Sequence, residues 1–278
     1  MKNEFAKSPS ELLPIKGNLS SDFVLSIFVA ILMTAASISG LLFPSSIYPT
    51  EELRQSYLAN DVINLVIGLP ILLGSMCLTQ RGKLLGLLCW PGALLYNVYN
   101  YIAYIFGLPL SWLTLVFVVI VLLSAYPVFD LLKNIDRDAL KTKLAGAVSE
   151  KFSGVLLALF GVAFFFLAVG VITGANADQT ISMADVGVAI ADIFLSVILV
   201  IGGVLLFLRN PFGYASGMGL LFAASALFVG VILVVLLQPL LTDAPFVMKD
   251  IVVLSGMALV CFIPTGLFMR GVLSSNRK

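Results

Sequence analysis

Histidine is absent from this 278-residue chain, and only 11% of its residues are charged. The first absence removes the commonest general base, physiological-pH switch and metal ligand. The second leaves less than half the charge of a soluble domain, in which about 25% of residues are charged. Cysteine is scarce too: Cys77, Cys89 and Cys261 form no C-x-x-C pair, and each lies within an apolar run. They read as small buried hydrophobes and not as a disulfide or metal framework. A net charge of +1 without a clustered basic face excludes nucleic acid as a partner. There is no Walker A loop, no H-E-x-x-H, no Ser–His pair, no twinned intramembrane Asp, no mid-span Lys for a Schiff base and no Arg ladder. No catalytic residue, metal or cofactor is therefore expected.

What is present is apolar surface. Hydrophobic residues make up 60% of the chain, and the mean hydropathy is +1.09. A core cannot absorb this much, but a bilayer can. Eight stretches of about 20 residues predict membrane-crossing helices near Phe23–Phe43, Val62–Thr79, Leu84–Phe106, Leu110–Leu132, Phe152–Ile172, Val186–Leu208, Tyr214–Leu237 and Ile251–Met269. Strands of a membrane barrel would be about 10 residues long with alternating polarity, which is not seen. The expected fold is an all-α membrane bundle. Polar residues precede the first run, which is too long for a signal-peptide core and is expected to act as its own insertion signal.

The cations are distributed unevenly along this zigzag. Lys2, Lys7, Lys16, Arg81, Lys83, Lys133, Arg137, Lys141, Lys143, Lys151, Arg209, Arg270, Arg277 and Lys278 fall on one side; Arg54 and Lys249 fall on the other. By the positive-inside rule the basic side is cytoplasmic, so both termini are expected in the cytoplasm of a plasma or inner membrane. The organisation that follows is a cytoplasmic segment 1–22, a four-helix half 23–132, a cytoplasmic linker 133–151, a second four-helix half 152–269 and a tail 270–278. On that side a disulfide between Cys77 and Cys89, which flank a tight turn, would meet a reducing compartment.

The halves look alike. In each, the second and third spans meet at a short basic turn, Gln80-Arg81-Gly82-Lys83 and Arg209-Asn210-Pro211, and a shift of 127 residues lays Gly86 on Gly213 and Gly92 on Gly219. Four spans is an even number, so such repeats would be parallel, related by an axis along the membrane normal. In the linker, Ile135, Ala139, Leu140, Leu144 and Val148 recur at helical spacing. They predict an amphipathic helix, either on the inner leaflet with its cations toward anionic lipid or merely solvated. Before the second span, Thr50 followed by Glu51 and Glu52 predicts an N-capped short helix.

Polar residues within spans are where function is sought first, because burying them costs free energy. The second span opens with Asn60, Asp61 and Asn64, and the third ends in Tyr96-Asn97-Val98-Tyr99-Asn100-Tyr101-Ile102-Ala103-Tyr104. Asn97, Asn100, Tyr101 and Tyr104 share one helical face. Joined by a tight turn, the two spans place Asp61 and Asn64 beside this face. Two readings stay open: a ligand pocket opening outward, with Tyr101 and Tyr104 at its rim, or interhelical hydrogen bonds and an aromatic belt. The corresponding stretch of the second half, Leu221-Phe222-Ala223-Ala224-Ser225-Ala226-Leu227, has lost the Asn and Tyr. Asp192 lies two turns into its span, expected to be hydrogen-bonded to a facing Ser, Tyr or backbone group, or else proton-linked. Asp130, at the inner end of its span, is expected to meet headgroups or a nearby Lys. Pro70, Pro91, Pro127 and Pro264 fall inside spans and tend to kink them. Gly82/Gly86 and Gly213/Gly217 have the spacing of close helix contacts.

The stretches Asn60-Asp61-Val62, Leu69-Pro70, Arg81-Gly82, Tyr96-Asn97-Val98-Tyr99-Asn100-Tyr101 and Phe106-Gly107, with Arg209-Asn210-Pro211-Phe212-Gly213-Tyr214, resemble a group of uncharacterised prokaryotic polytopic membrane proteins of about eight spans. That resemblance implies topology and no substrate. The functional expectation is binding or transport of a small molecule or lipid. The alternatives are a structural or assembly partner of another membrane protein, and an intramembrane lipid-modifying enzyme with Asp61 or Asp192 as acid–base.

Overall fold

The computed structural model describes residues 13–174 and 181–275. Lys2, Lys7, Arg277 and Lys278, most of the expected N-terminal segment, and part of the first loop of the second half lie outside the described residues. The helices, in chain order, are α1 (Ser20–Leu42), α2 (Pro44–Ile47), α3 (Glu51–Ile63), α4 (Leu69–Gln80), α5 (Leu84–Gly107), α6 (Trp112–Asn134), α7 (Arg137–Leu144), α8 (Glu150–Ile172), α9 (Met183–Phe207), α10 (Pro211–Leu241) and α11 (Met248–Ser275).

Among the described residues, seven helices are long and apolar enough to cross a membrane: α1, the continuous Glu51–Gln80 rod formed by α3 and α4, α6, α8, α9, α10 and α11. This is the architecture of an α-helical membrane protein. The remaining long helix, α5, spans 24 residues, but Asn97, Asn100 and four tyrosines lower its hydropathy. Its position explains why that is tolerated. Nineteen of those 24 residues are buried, among them both Asn and Tyr96, Tyr101 and Tyr104. α5 packs on α4, α6, α9 and α10 and is the central post of the bundle. A helix wrapped by protein need not match the solvent that its neighbours face.

The second rod starts at Glu51, well before the predicted Val62, so the expected short helix is its first turns. Thr50 caps it, its hydroxyl accepting the Leu53 N–H at 3.3 Å, and Arg54 pairs with Glu51 at 2.8 Å. Between α3 and α4 the rod widens into a π turn at Asn64–Gly68, closed by the Leu69 N–H on the Asn64 carbonyl. Pro70 follows immediately. Its ring would clash with the Val66 carbonyl in a regular helix, and the wider turn relieves this.

Glycines set the closest approaches. A Cβ on Gly92 of α5 would lie 2.2 Å from the Gly219 carbonyl of α10. The spacing pairs Gly82/Gly86 and Gly213/Gly217 serve contacts within the chain, with Gly86 against Leu78 and Thr79 and Gly213 against Leu205 and Leu206. Each third helix thus lies against the second helix of its own hairpin.

At the basic end, where Arg81, Lys133 and Arg209 lie, the chain before α1 is strapped to the linker. Ile15 bridges Ile135, the Lys16 N–H donates to the Asn134 carbonyl at 2.8 Å, and the Asp136 N–H donates to the Pro14 carbonyl at 2.8 Å. α7 forms as expected, but protein takes up its apolar face and not a leaflet. Leu140 and Leu144 are fully buried, and α7 packs on α10 and α11.

Candidate functional site

Asp61 lies on α3, one turn before the π segment, with 2% of its surface exposed. Two phenols hold its carboxylate. Tyr48 donates to Oδ2 at 2.5 Å, and Tyr104 donates to Oδ1 at 2.9 Å. The Asn60 amide donates in turn to the Tyr104 oxygen at 3.2 Å. Tyr48 follows α2 in the connection between the first two long helices. Burial, followed by the adjacent Asp61 carboxylate, pushes its phenol well above its ordinary pKa, so it remains a donor. α1 closes the other side. A Cβ on Gly40 would sit 1.9 Å from Asp61 Oδ2 and 2.7 Å from the Tyr48 oxygen, so only glycine leaves room for this pair. Tyr57 stacks between Tyr48 and Tyr104, with ring centroids 5.7 and 4.6 Å away, and donates to the Ala103 carbonyl at 3.1 Å.

The predicted partners divide into two sets. Tyr104 joins Asp61 directly. Tyr101 donates to the Met33 carbonyl of α1 at 3.4 Å, and the Asn100 amide folds back onto the Tyr96 carbonyl at 2.9 Å. Tyr101 and Tyr104 are both buried, so they form the interior of the cluster and neither a rim nor an interfacial belt. Asn64 and Asn97 behave differently. Both are fully buried, and among the described residues neither the amide nitrogen nor the oxygen of either has a hydrogen-bond partner. Asn64 opens the π turn, which packs on α1, α5 and α10. Ser37 of α1 is also fully buried, beside Asp61 and Tyr101. A buried polar group left unpaired costs about 1–3 kcal/mol, so each of these two amides is unmet hydrogen-bonding capacity. None of Asp61, Asn64 and Asn97 lines either of two cavities of about 620 and 550 Å³. The smaller cavity lies at the end away from the basic turns, between α3 and the end of α10. Glu51, Arg54, Leu58 and Asp243 line it.

The other carboxylates within or at the ends of the long helices have protein neighbours. Tyr99 of α5 donates to Asp192 of α9 at 2.9 Å, the facing tyrosine that the sequence anticipated. Among the described residues Asp130 meets no lysine; it accepts from Asn134 at 2.9 Å and faces Asp22 of α1. Asp22, placed before the first span by the sequence, is fully buried and lacks a regular hydrogen-bond partner for either oxygen. Glu150 is fixed by the Gly146 N–H at 2.8 Å, the Tyr214 hydroxyl at 3.0 Å and Arg209 at 3.9 Å. Tyr48, Tyr57, Ser37 and Gly40 were not legible in the sequence because they come from a loop, from the turns of α3 ahead of the second apolar run, and from α1; the only hint was Tyr48 beside the Thr50 cap.

Among the described residues no group of three or more Asp, Glu or Cys is placed to hold a metal ion. The polar cluster sits within a helical membrane bundle, and that is the class the fold defines. Compared with protein-family models, curated proteins and solved structures, the chain matches none.

Proposed function

We propose that this chain is an eight-span membrane protein, with α5 as the eighth span, that binds or transports a small polar molecule at Asn64 and Asn97 beside Asp61. The observation carrying this reading is the pair of fully buried carboxamides with no partner, one of them on a π turn. Such turns recur at functional sites, and local rules are broken mainly where function requires it. A ligand with both donors and acceptors would satisfy the four amide atoms, with Asp61 and its phenols as the adjoining wall. In this reading the basic end faces the cytoplasm and the site is closed from outside by Tyr48 and Tyr57. The cavity lined by Leu58, one helical turn from Asp61, is the route toward it.

Two four-helix repeats belong to the same proposal. The two hairpin turns support it bond for bond at the shift of 127. Gly82 and Arg209 both have positive φ, +67° and +56°. Lys83 N–H donates to Leu78 and Asn210 N–H to Leu205, each at 2.9 Å; Gly82 N–H donates to Thr79 at 2.9 Å and Arg209 N–H to Leu206 at 3.0 Å. Gly92 and Gly219, equivalent in the shift, touch each other where a pseudo-two-fold axis would pass.

The satisfied Asp61–Tyr48–Tyr104 set favours a second reading, internal glue in a structural or assembly partner. Thermal unfolding of purified variants decides between them. Under the binding proposal Asn64→Leu and Asn97→Leu keep or raise the melting temperature. If both lower it as Asp61→Leu does, the amides are structural and the proposal fails. Solutes that raise the wild-type melting temperature but not that of Asn97→Leu would then be assayed for flux in liposomes.

A further inference from the structure

The larger cavity lies at the opposite, basic end and shares no residue with the polar cluster. Its floor is the Gly92–Gly219 crossing of α5 and α10. Its walls are α6, through Ala125, Val128 and Leu132, and α9, through Phe194, Ile198 and Ile201. α6 and α9 flank it without packing closely on each other. The residues at this gap face outward: Phe129 is 75% exposed and Ile201 54%. The groove therefore opens sideways, toward what surrounds the bundle, as well as toward the basic end.

Its length suits one leaflet. From Ala125 to Lys133, α6 advances about 12 Å at about 1.5 Å per residue, against a half-thickness of about 15 Å for the hydrocarbon core. The volume, about 620 Å³, falls in the roughly 300–1,000 Å³ range of ligand sites. Charge enters the lining at one end only, as Lys133 and Arg137. Neither has a carboxylate within ion-pairing distance among the described residues. The nearby acids are engaged elsewhere, Asp130 with Asn134 and Asp136 with Lys16 at 3.5 Å. Arg137 is nevertheless held in place. Its Nε and Nη2 donate to the Leu132 carbonyl at 3.1 and 3.0 Å, and its guanidinium lies 4.8 Å from the centroid of the Phe212 ring, which also lines the groove. A pre-oriented guanidinium and a free ammonium at the mouth of an apolar slot match a phosphate above an acyl chain.

We propose that this groove is a binding site for an anionic phospholipid from the leaflet at the basic end. An acyl chain lies on the Gly92–Gly219 floor, and the headgroup phosphate sits between Lys133 and Arg137. The site stands independently of the polar cluster and of whether the protein transports anything.

The test uses the full chain in neutral detergent, titrated with dioleoyl phosphatidylglycerol, dioleoyl phosphatidylcholine or inorganic phosphate. Melting temperature and lipids retained in native mass spectrometry are recorded. Phosphatidylglycerol should raise the melting temperature and be retained at one molecule per chain; phosphatidylcholine and inorganic phosphate should do neither. Lys133→Gln with Arg137→Gln should weaken phosphatidylglycerol binding roughly 30-fold, about fivefold per cation, and remove the preference over phosphatidylcholine. Should the double variant not fold, Lys133→Gln alone, at an exposed position, should show the fivefold loss. Ile198→Trp, which fills the slot, should block retention while both cations remain. Equal effects of the two lipids, a full effect of phosphate alone, or unchanged binding in Lys133→Gln would overturn the proposal.

Discussion

The first half of the bundle holds, away from the basic turns, a buried polar cluster; the positions 127 residues further on in the second half are apolar. At the shift of 127, Asn97 and Asn100 of α5 correspond to Ala224 and Leu227 of α10, and Asp61 and Asn64 to Val188 and Ala191 of α9. The turns at the other end are nearly superimposable in their hydrogen bonds. Turn geometry is set by backbone bonds that many sequences can make, including an arginine in the left-handed region where the first half has glycine. Polar interiors are not interchangeable in this way, because each buried donor and acceptor needs its own partner. What differs between the halves is therefore the part that requires specific chemistry.

The strongest way to break this comparison is to remove the carboxylate. Asp61→Leu leaves the Tyr48 and Tyr104 hydroxyls buried without an acceptor, at about 1–3 kcal/mol each. A loss on the order of 3 kcal/mol or more should appear in mixed-micelle unfolding. Gly40→Ala should follow, at roughly 1–3 kcal/mol, because its methyl group enters the Asp61–Tyr48 contact. In the double variant Gly40→Ala/Asp61→Ala the two costs should fall well short of additive, as expected for residues that share one space.

Asn64→Leu and Asn97→Leu make the first half resemble the second. Because these amides have no partner among the described residues, the change should be neutral or stabilise by about 0.5–2 kcal/mol. A loss comparable to that of Asp61→Leu would place them with the structural set. The turns offer a subtler exchange. Arg209→Gly should stabilise by about 1 kcal/mol through relief of the left-handed strain, and Gly82→Ala should cost about the same. Ion pairing of Arg209 with Glu150 at 3.9 Å, with Arg209 58% exposed, offsets little of that gain.

The smallest effect concerns Asp136, outside the spans. The Ala139 N–H that it accepts, and then Lys16, hold its carboxyl below the ordinary range. A depressed folded pKa stabilises above the unfolded value of about 3.9 and loses that contribution as pH falls through the folded one. Asp136→Asn keeps the helix cap but not the charge. It should flatten the acid limb of a stability–pH profile slightly while leaving the neutral melting temperature nearly unchanged.

Much of the bundle was legible beforehand. Apolar runs set the long helices to within a few residues, except at the start of the second and at the end of the last, which runs on from Met269 to Ser275. At the second, capping at Thr50 and a polar first face hid the continuity of one rod from Glu51 to Gln80. The Asp61–Tyr104 contact followed from antiparallel spans joined by a short turn, since chain reversal alone sets their relative depth. Tyr48, Tyr57 and Gly40 did not follow, because nothing local reveals which loop residue folds over a helix end. The buried state of α5 was also hidden: periodicity shows that a face is polar, not which neighbours enclose it. The burial of Asp22, just ahead of the first apolar run, was hidden for the same reason, and the apolar face of α7 was open to lipid or solvent until α10 and α11 occupied it.

By itself the sequence determined a helical membrane bundle, the sidedness of its charge and the hairpin that brings Asp61 to the Asn/Tyr face. These rest on length, hydropathy and chain reversal, which are local quantities. Tertiary structure alone decided which polar atoms are satisfied and which are not. It also decided that α5 stands at the centre, and that α6 and α9 part to leave an apolar slot beneath Lys133 and Arg137. Those are properties of the gaps between helices, and a gap has no sequence of its own.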